Sequence, residues 1–113
     1  MKEIDWSSLS FGYMKTDYNV RCWYRNGAWG EIEISSEETL NIHMAATCLH
    51  YGQEAFEGLK AYRCPDGKVR VFRMDENAAR LQSSCRGIMM PEIPTELFEE
   101  MVTKVVRLNE GYI

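Results

Sequence analysis

The chain has 113 residues, enough for one domain with its own core. A net charge of −4 argues against a nucleic-acid surface or an anionic membrane as partner, and no apolar run approaches the roughly 20 residues that span a bilayer. The start, Met1-Lys2-Glu3-Ile4-Asp5-Trp6, is acidic and lacks an apolar segment, so it reads as neither a secretory signal nor a transit peptide.

Residues 1–17 carry Trp6, Leu9, Phe11, Tyr13 and Met14 without clean periodicity and read as an extended arm that packs its aromatics on something. Tyr18 to Ile34 predicts a hairpin around Asn26-Gly27. A three-residue loop, Asn26-Gly27-Ala28, sets Val20 opposite Ile34, Arg21 opposite Glu33 and Cys22 opposite Ile32. It matches like faces, which a two-residue loop with Arg21 opposite Ile32 would not. After a polar link, Asn41 to Leu49 leads into a predicted short helix, about His50 to Phe56, ended by Gly58. Leu59–Arg63 and Val69–Arg73 form a second hairpin whose turn, Cys64-Pro65-Asp66-Gly67, has proline at the first corner and glycine for a positive φ.

Two helices follow. Asp75 is the predicted N-cap of a helix from Glu76 to about Gly87, with Ala78, Leu81, Cys85 and Ile88 as its apolar stripe. Pro91 and Pro94 interrupt the chain. Thr95 is then expected to cap a helix to about Asn109, with Leu97, Met101, Val105 and Leu108 on one face, widened by Phe98, Val102 and Val106. Strands followed by helices predict an α+β domain, helices packed on a mostly antiparallel sheet.

Cys22, Cys48, Cys64 and Cys85 are unevenly spaced and form no CxxC pair, so free thiols in a reducing compartment, the cytoplasm, are expected. His43 and His50 stand seven apart with no Cys or carboxylate completing a ligand set, so no metal is expected.

Arg80 is the sharpest candidate for chemistry. It lies about 120° from the centre of its helix's apolar stripe, at roughly 100° per residue. A guanidinium there can fork onto a phosphate or carboxylate, or it is a solvated arginine or a surface ion pair. Tyr51 and Phe56 could wall an apolar pocket or simply pack in the core. Glu57 could be a general base, but no second carboxylate or histidine sits at a telling offset. Glu54 reads as solvated and Lys60 as a solvent-facing strand lysine.

The run His50-Tyr51-Gly52…Phe56-Glu57-Gly58-Leu59-Lys60-Ala61-Tyr62, with Phe72-Arg73…Asn77…Arg80-Leu81, resembles the branched-chain amino-acid aminotransferases. These are pyridoxal-phosphate enzymes with the D-amino-acid aminotransferase-like fold. The resemblance extends to Phe11-Gly12…Thr16-Asp17 and to Asn26-Gly27…Trp29. It implies that residues 18–113 are the small domain of a two-domain enzyme and that residues 1–17 are its arm. The lysine that carries pyridoxal 5′-phosphate would lie in a larger domain outside this sequence, so the chain alone would be inactive. It further implies that Arg80 holds the cofactor phosphate, that Phe56 lines the pocket for the branched side chain, and that Tyr51 reaches the pocket across a homodimer. Glu57 and Gly58 match the motif with no role attached. The implied substrates are leucine, isoleucine and valine with 2-oxo acids. A D-amino-acid aminotransferase or aminodeoxychorismate lyase of the same fold, or a non-catalytic interaction module, are the alternatives. Where longer-armed relatives often read Phe-Thr-Asp-His-Met, this chain reads Lys15-Thr16-Asp17-Tyr18-Asn19, so Lys15 replaces a pocket aromatic, with Met14 as a conceivable substitute. Tyr112-Ile113 is not followed by the arginine of the family's carboxylate-orienting segment.

Overall fold

The computed structural model describes residues 2–5 and 12–113. The expected packing of Trp6, Leu9 and Phe11 falls outside them. The described part is α+β, and its antiparallel strands are divided between two hairpins.

Strands β1 (Asn19–Arg25) and β2 (Ala28–Ser35) form the first hairpin. Val20 pairs with Ile34, Arg21 with Glu33 and Cys22 with Ile32, the expected register. The loop, however, is two residues long, because Arg25 pairs with Ala28. Asn26 and Gly27 both take positive φ, 52° and 79°, the turn whose twist matches that of the strands. The register is restored by a bulge in which Trp23 faces both Gly30 and Glu31. The expected three-residue loop therefore placed the extra residue in the turn, whereas the chain keeps its tightest turn and puts that residue in the strand.

Helix α1 is a single turn, Thr47–His50. Gly52, at φ +64°, follows it, and residues 53–60 lie in neither helix nor strand. The predicted helix to Phe56 is thus displaced: it ends before Gly52 rather than at Gly58. Burial then alternates with period two: Gln53, Ala55, Glu57, Leu59 and Ala61 are half-buried, and Glu54, Phe56, Gly58, Lys60 and Tyr62 exposed. This segment runs into β3 (Ala61–Arg63), which pairs with β4 (Val69–Val71), each two residues shorter than expected at its outer end. Gly67 supplies the anticipated positive φ, 81°.

Helices α2 (Met74–Gly87) and α3 (Thr95–Leu108) supply the core. Ala78, Leu81 and Cys85 are buried along the predicted stripe and meet Phe98, with Ala55, Leu59, Met74, Met90, Ile93 and Val102 packed around them. Both predicted N-caps are corrected. Arg73, in the left-handed region, precedes α2, and its carbonyl accepts the Glu76 amide, so Asp75 lies inside the helix. Thr95 is the first residue of α3, and its hydroxyl accepts a hydrogen bond from Gln82 Nε2 instead of capping. On α3, Phe98 rather than the Leu97/Met101 edge is the most buried position, because it faces Leu81 and Cys85.

With so few buried side chains, polar groups that grip backbone carry much of the assembly. Asn109 is 9% exposed and closes a two-way clamp on Tyr18: its Oδ1 accepts from the Tyr18 amide at 3.0 Å, and its Nδ2 donates to the Tyr18 carbonyl at 2.9 Å. Nδ2 also donates to the Val105 carbonyl at 2.9 Å. The end of α3 is thereby tied to the start of β1. Replacing Asn109 with alanine strands these groups and should lower stability by about 2 kcal/mol, read as a fall in the urea midpoint with unchanged slope.

Candidate functional site

The two stretches that carry the resemblance meet in space. The segment before β3 turns Glu57 inward, between Ala55 and Leu59, onto α2. Its side chain is only 5% exposed, so it needs donors in place of lost water. Arg80 Nε donates to Oε2 at 2.9 Å and to Oε1 at 3.0 Å, and Arg80 Nη2 also donates to Oε1. Asn77 Nδ2 donates to the same Oε1 at 2.8 Å and lies 3.2 Å from the Gly58 carbonyl. Asn77 and Arg80 are three apart on α2 and so share the face that meets the segment. Arg80 therefore stands in an ion pair, one of the readings its position allowed, but with a buried rather than a solvated partner.

That pairing shifts the acidity of Glu57. Hydrogen bonds from Arg80 hold its carboxyl below the ordinary glutamate value, and Asn77 adds to the effect against the opposing pull of burial. Arg80 is shifted upward by the same contact. The guanidinium itself is 68% exposed. It opens onto a shallow depression of about 560 Å³ lined by Phe72, Arg73, Glu76, Asn77, Ala79 and Arg80. Arg73 Nη2 donates to Glu76 Oε1 at 2.8 Å on this rim.

Phe56 faces away from Glu57 and is 88% exposed. Its ring lies over Gly58, where a Cβ would stand 3.4 Å from the ring edge. The Phe-Glu-Gly triplet thus divides three jobs: an outward aromatic, an inward carboxylate, and space for the ring. Tyr51, just after α1, is 84% exposed. Neither aromatic is packed in the core, the simpler alternative for both, and neither lines the depression beside Arg80. Lys15 pairs with Glu38 at 3.5 Å, and Met14 is partly exposed. Lys60 is exposed just before β3. His50 bonds the Met44 carbonyl and His43 accepts from the Ala45 amide, so both histidines serve the local loop. All four cysteines are free, and no described helix is long and apolar enough to cross a membrane.

No protein-family model matches the chain. Individual proteins do, over its whole length. It is 45% identical to the branched-chain-amino-acid aminotransferase of Haemophilus influenzae over 113 residues, which is 100% of this chain and 33% of that protein. Over its whole length, the chain is thus similar in sequence to branched-chain aminotransferases. The Helicobacter pylori branched-chain-amino-acid aminotransferase is 42% identical over the same span. Branched-chain-amino-acid transaminase 1 of Bacillus subtilis is 41% identical over 110 residues, 96% of this chain and 31% of that protein. The chain spans about a third of the length of these relatives.

Asn77 and Glu57 are the residues of this candidate site that sequence reasoning left without a role. The signal was present as alternation: Phe56 and Glu57 must point to opposite sides if the segment is extended, and the expected helix concealed it. Because Arg80 depresses the Glu57 pKa in the folded state, Glu57 stabilises the fold fully above the ordinary glutamate value of 4.5, and the contribution disappears as pH falls through the lowered value. The stability gap between wild type and Glu57→Gln should therefore be flat above about pH 5 and shrink in acid, as measured by urea unfolding across a pH series.

Proposed function

We propose that this chain is the small domain of a pyridoxal-phosphate-dependent aminotransferase that moves the amino group of leucine, isoleucine or valine to 2-oxoglutarate. The observation that carries the reading is the held, outward-facing Arg80 beside Phe56-Glu57-Gly58, in a chain whose whole length matches branched-chain aminotransferases. The donor chemistry fits a phosphate monoester: a permanently charged, planar fork that keeps Nη1 without a partner among the described residues. Arg80 would hold the cofactor phosphate. Phe56, aromatic and unpacked, would form part of the wall for a branched aliphatic side chain. Tyr51 would contribute to the pocket across a homodimer, which accounts for an aromatic left this open. Pyridoxal phosphate, when bound, supplies the electron sink for loss of the amino acid's α-proton.

The rest of the apparatus, including the lysine that carries the cofactor, we assign to sequence beyond residues 1–113, with residues 1–17 as the arm of the small domain. Free cysteines support a reducing compartment, the cytoplasm. In the full-length protein, Arg80→Ala should weaken retention of pyridoxal phosphate by about tenfold to a hundredfold, and should also lower the melting temperature, because it leaves the Glu57 carboxylate only the Asn77 donor. Equilibrium dialysis against free cofactor measures the first and a melting curve the second. A substrate panel should show transfer from leucine, isoleucine and valine and none from D-alanine, while the 113-residue chain alone should show no transfer at all. Turnover by the chain alone, or a preference for D-amino acids, would overturn the reading.

A further inference from the structure

A guanidinium offers two edges to an oxyanion: a side edge, Nε with Nη2, and an end edge, Nη1 with Nη2. Glu57 occupies the side edge of Arg80. Nη1 and the remaining Nη2 hydrogen are left to the outer face, where Arg80 is 68% exposed and lines the depression with Phe72, Arg73 and Asn77. Glu57 is itself fixed, because its side chain is 5% exposed, sits between two core-packed neighbours, and takes a further bond from Asn77. We propose that Glu57 is a positioning residue for anion binding: it grips Arg80 by the side edge and thereby presents the end edge to a phosphate monoester. The inference rests on the reading of Arg80 as the cofactor-phosphate anchor.

Two effects of opposite sign meet at this contact, which is what makes it testable. By charge alone, a carboxylate touching Arg80 diminishes its pull on an anion, so removing the charge would tighten phosphate binding. By orientation, an arginine already held loses less side-chain freedom when the anion arrives, so removing the grip would weaken binding. Burial of Glu57 favours orientation. The carboxylate lies on the core side of the guanidinium and the anion on the solvent side, so water can screen the repulsion while the grip stays in place.

The test uses the full-length protein and two probes, pyridoxal 5′-phosphate and pyridoxal, which differ only in the phosphate. Dissociation constants are read from the cofactor absorbance or from quenching of protein fluorescence. Glu57→Gln keeps an oxygen to accept from Asn77 but removes the charge and one acceptor. It should weaken binding of pyridoxal phosphate about tenfold, leave pyridoxal within about twofold, and add nothing in an Arg80→Ala background. Unchanged or tighter binding of pyridoxal phosphate would overturn the positioning role and leave Arg80 as the anchor. Equal weakening of both probes would also overturn it, marking Glu57 as purely structural. If Arg80→Ala leaves pyridoxal phosphate binding unchanged, the anchor reading itself falls, and the role of Glu57 with it. Should Glu57→Gln fail to fold, Glu57→Asp, which keeps the charge but retracts it by one methylene, is read by the same two probes, with selective weakening of pyridoxal phosphate again the expected result.

Discussion

A carboxylate turned toward the interior sets the terms for this fold. Glu57 sits on the core side of the segment before β3, and an ionised group at 5% exposure is tolerated only with donors of its own. Arg80 and Asn77 provide them from one face of α2, so the segment and the helix cannot be separated without leaving a buried charge exposed to a poor environment. Everything that gives the site its direction follows from this. Phe56 is outward because Glu57 is inward, and the Arg80 fork faces outward because its other edge is taken.

The same logic recurs elsewhere in polar form. The radius of gyration is 15.7 Å, against about 13 Å for a compact chain of this length, and among the described residues the buried apolar cluster is Ala78, Leu81, Cys85 and Phe98. Side chains that grip backbone hold the outlying parts to it. Trp29 Nε1 donates to the Glu92 carbonyl and links the first hairpin to the loop between α2 and α3. Gln53 Nε2 donates to the Ile88 carbonyl, and Gln82 Nε2 to that of Ile93. Arg63 donates to the carbonyls of Glu110, Ile113 and Gly67, and so joins the second hairpin to the turn after α3. Each such bond satisfies a carbonyl that a larger apolar core would otherwise have to bury within regular structure.

What could be read from the sequence was whatever depends on periodicity over many residues. The stripe on α2 and, to within two residues, the extents of both long helices appear where the 3.6-residue pattern places them, and the outer register of the first hairpin follows from matching faces. What escaped depends on a single competing choice. Asn26-Gly27 takes the two-residue turn, and the odd residue moves to a bulge that no local pattern announces. Ser, Thr and Asp ahead of a helix read as caps, yet Thr95 is claimed by Gln82, and Asp75 is preceded by a left-handed Arg73 that closes the turn with its own carbonyl. The stretch from Gln53 to Leu59 contains residues acceptable to either helix or strand. Gly52 at positive φ decides the matter, and the side to which Glu57 points is decided with it.

The location of Arg80 off the apolar stripe was legible; its meaning was not, because an arginine off a stripe is usually in water. The difference lies in a partner 23 residues earlier whose orientation depends on tertiary structure. Held on its inner edge and open on its outer one, the guanidinium is organised before any ligand arrives. Tyr51 and Phe56 stand open in the opposite sense, as aromatic surface left largely exposed. An anion-binding fork can be complete on one chain because it needs a few donors in fixed directions. An apolar pocket cannot, because it works by excluding water on every side, and two exposed rings enclose nothing until a further surface closes over them.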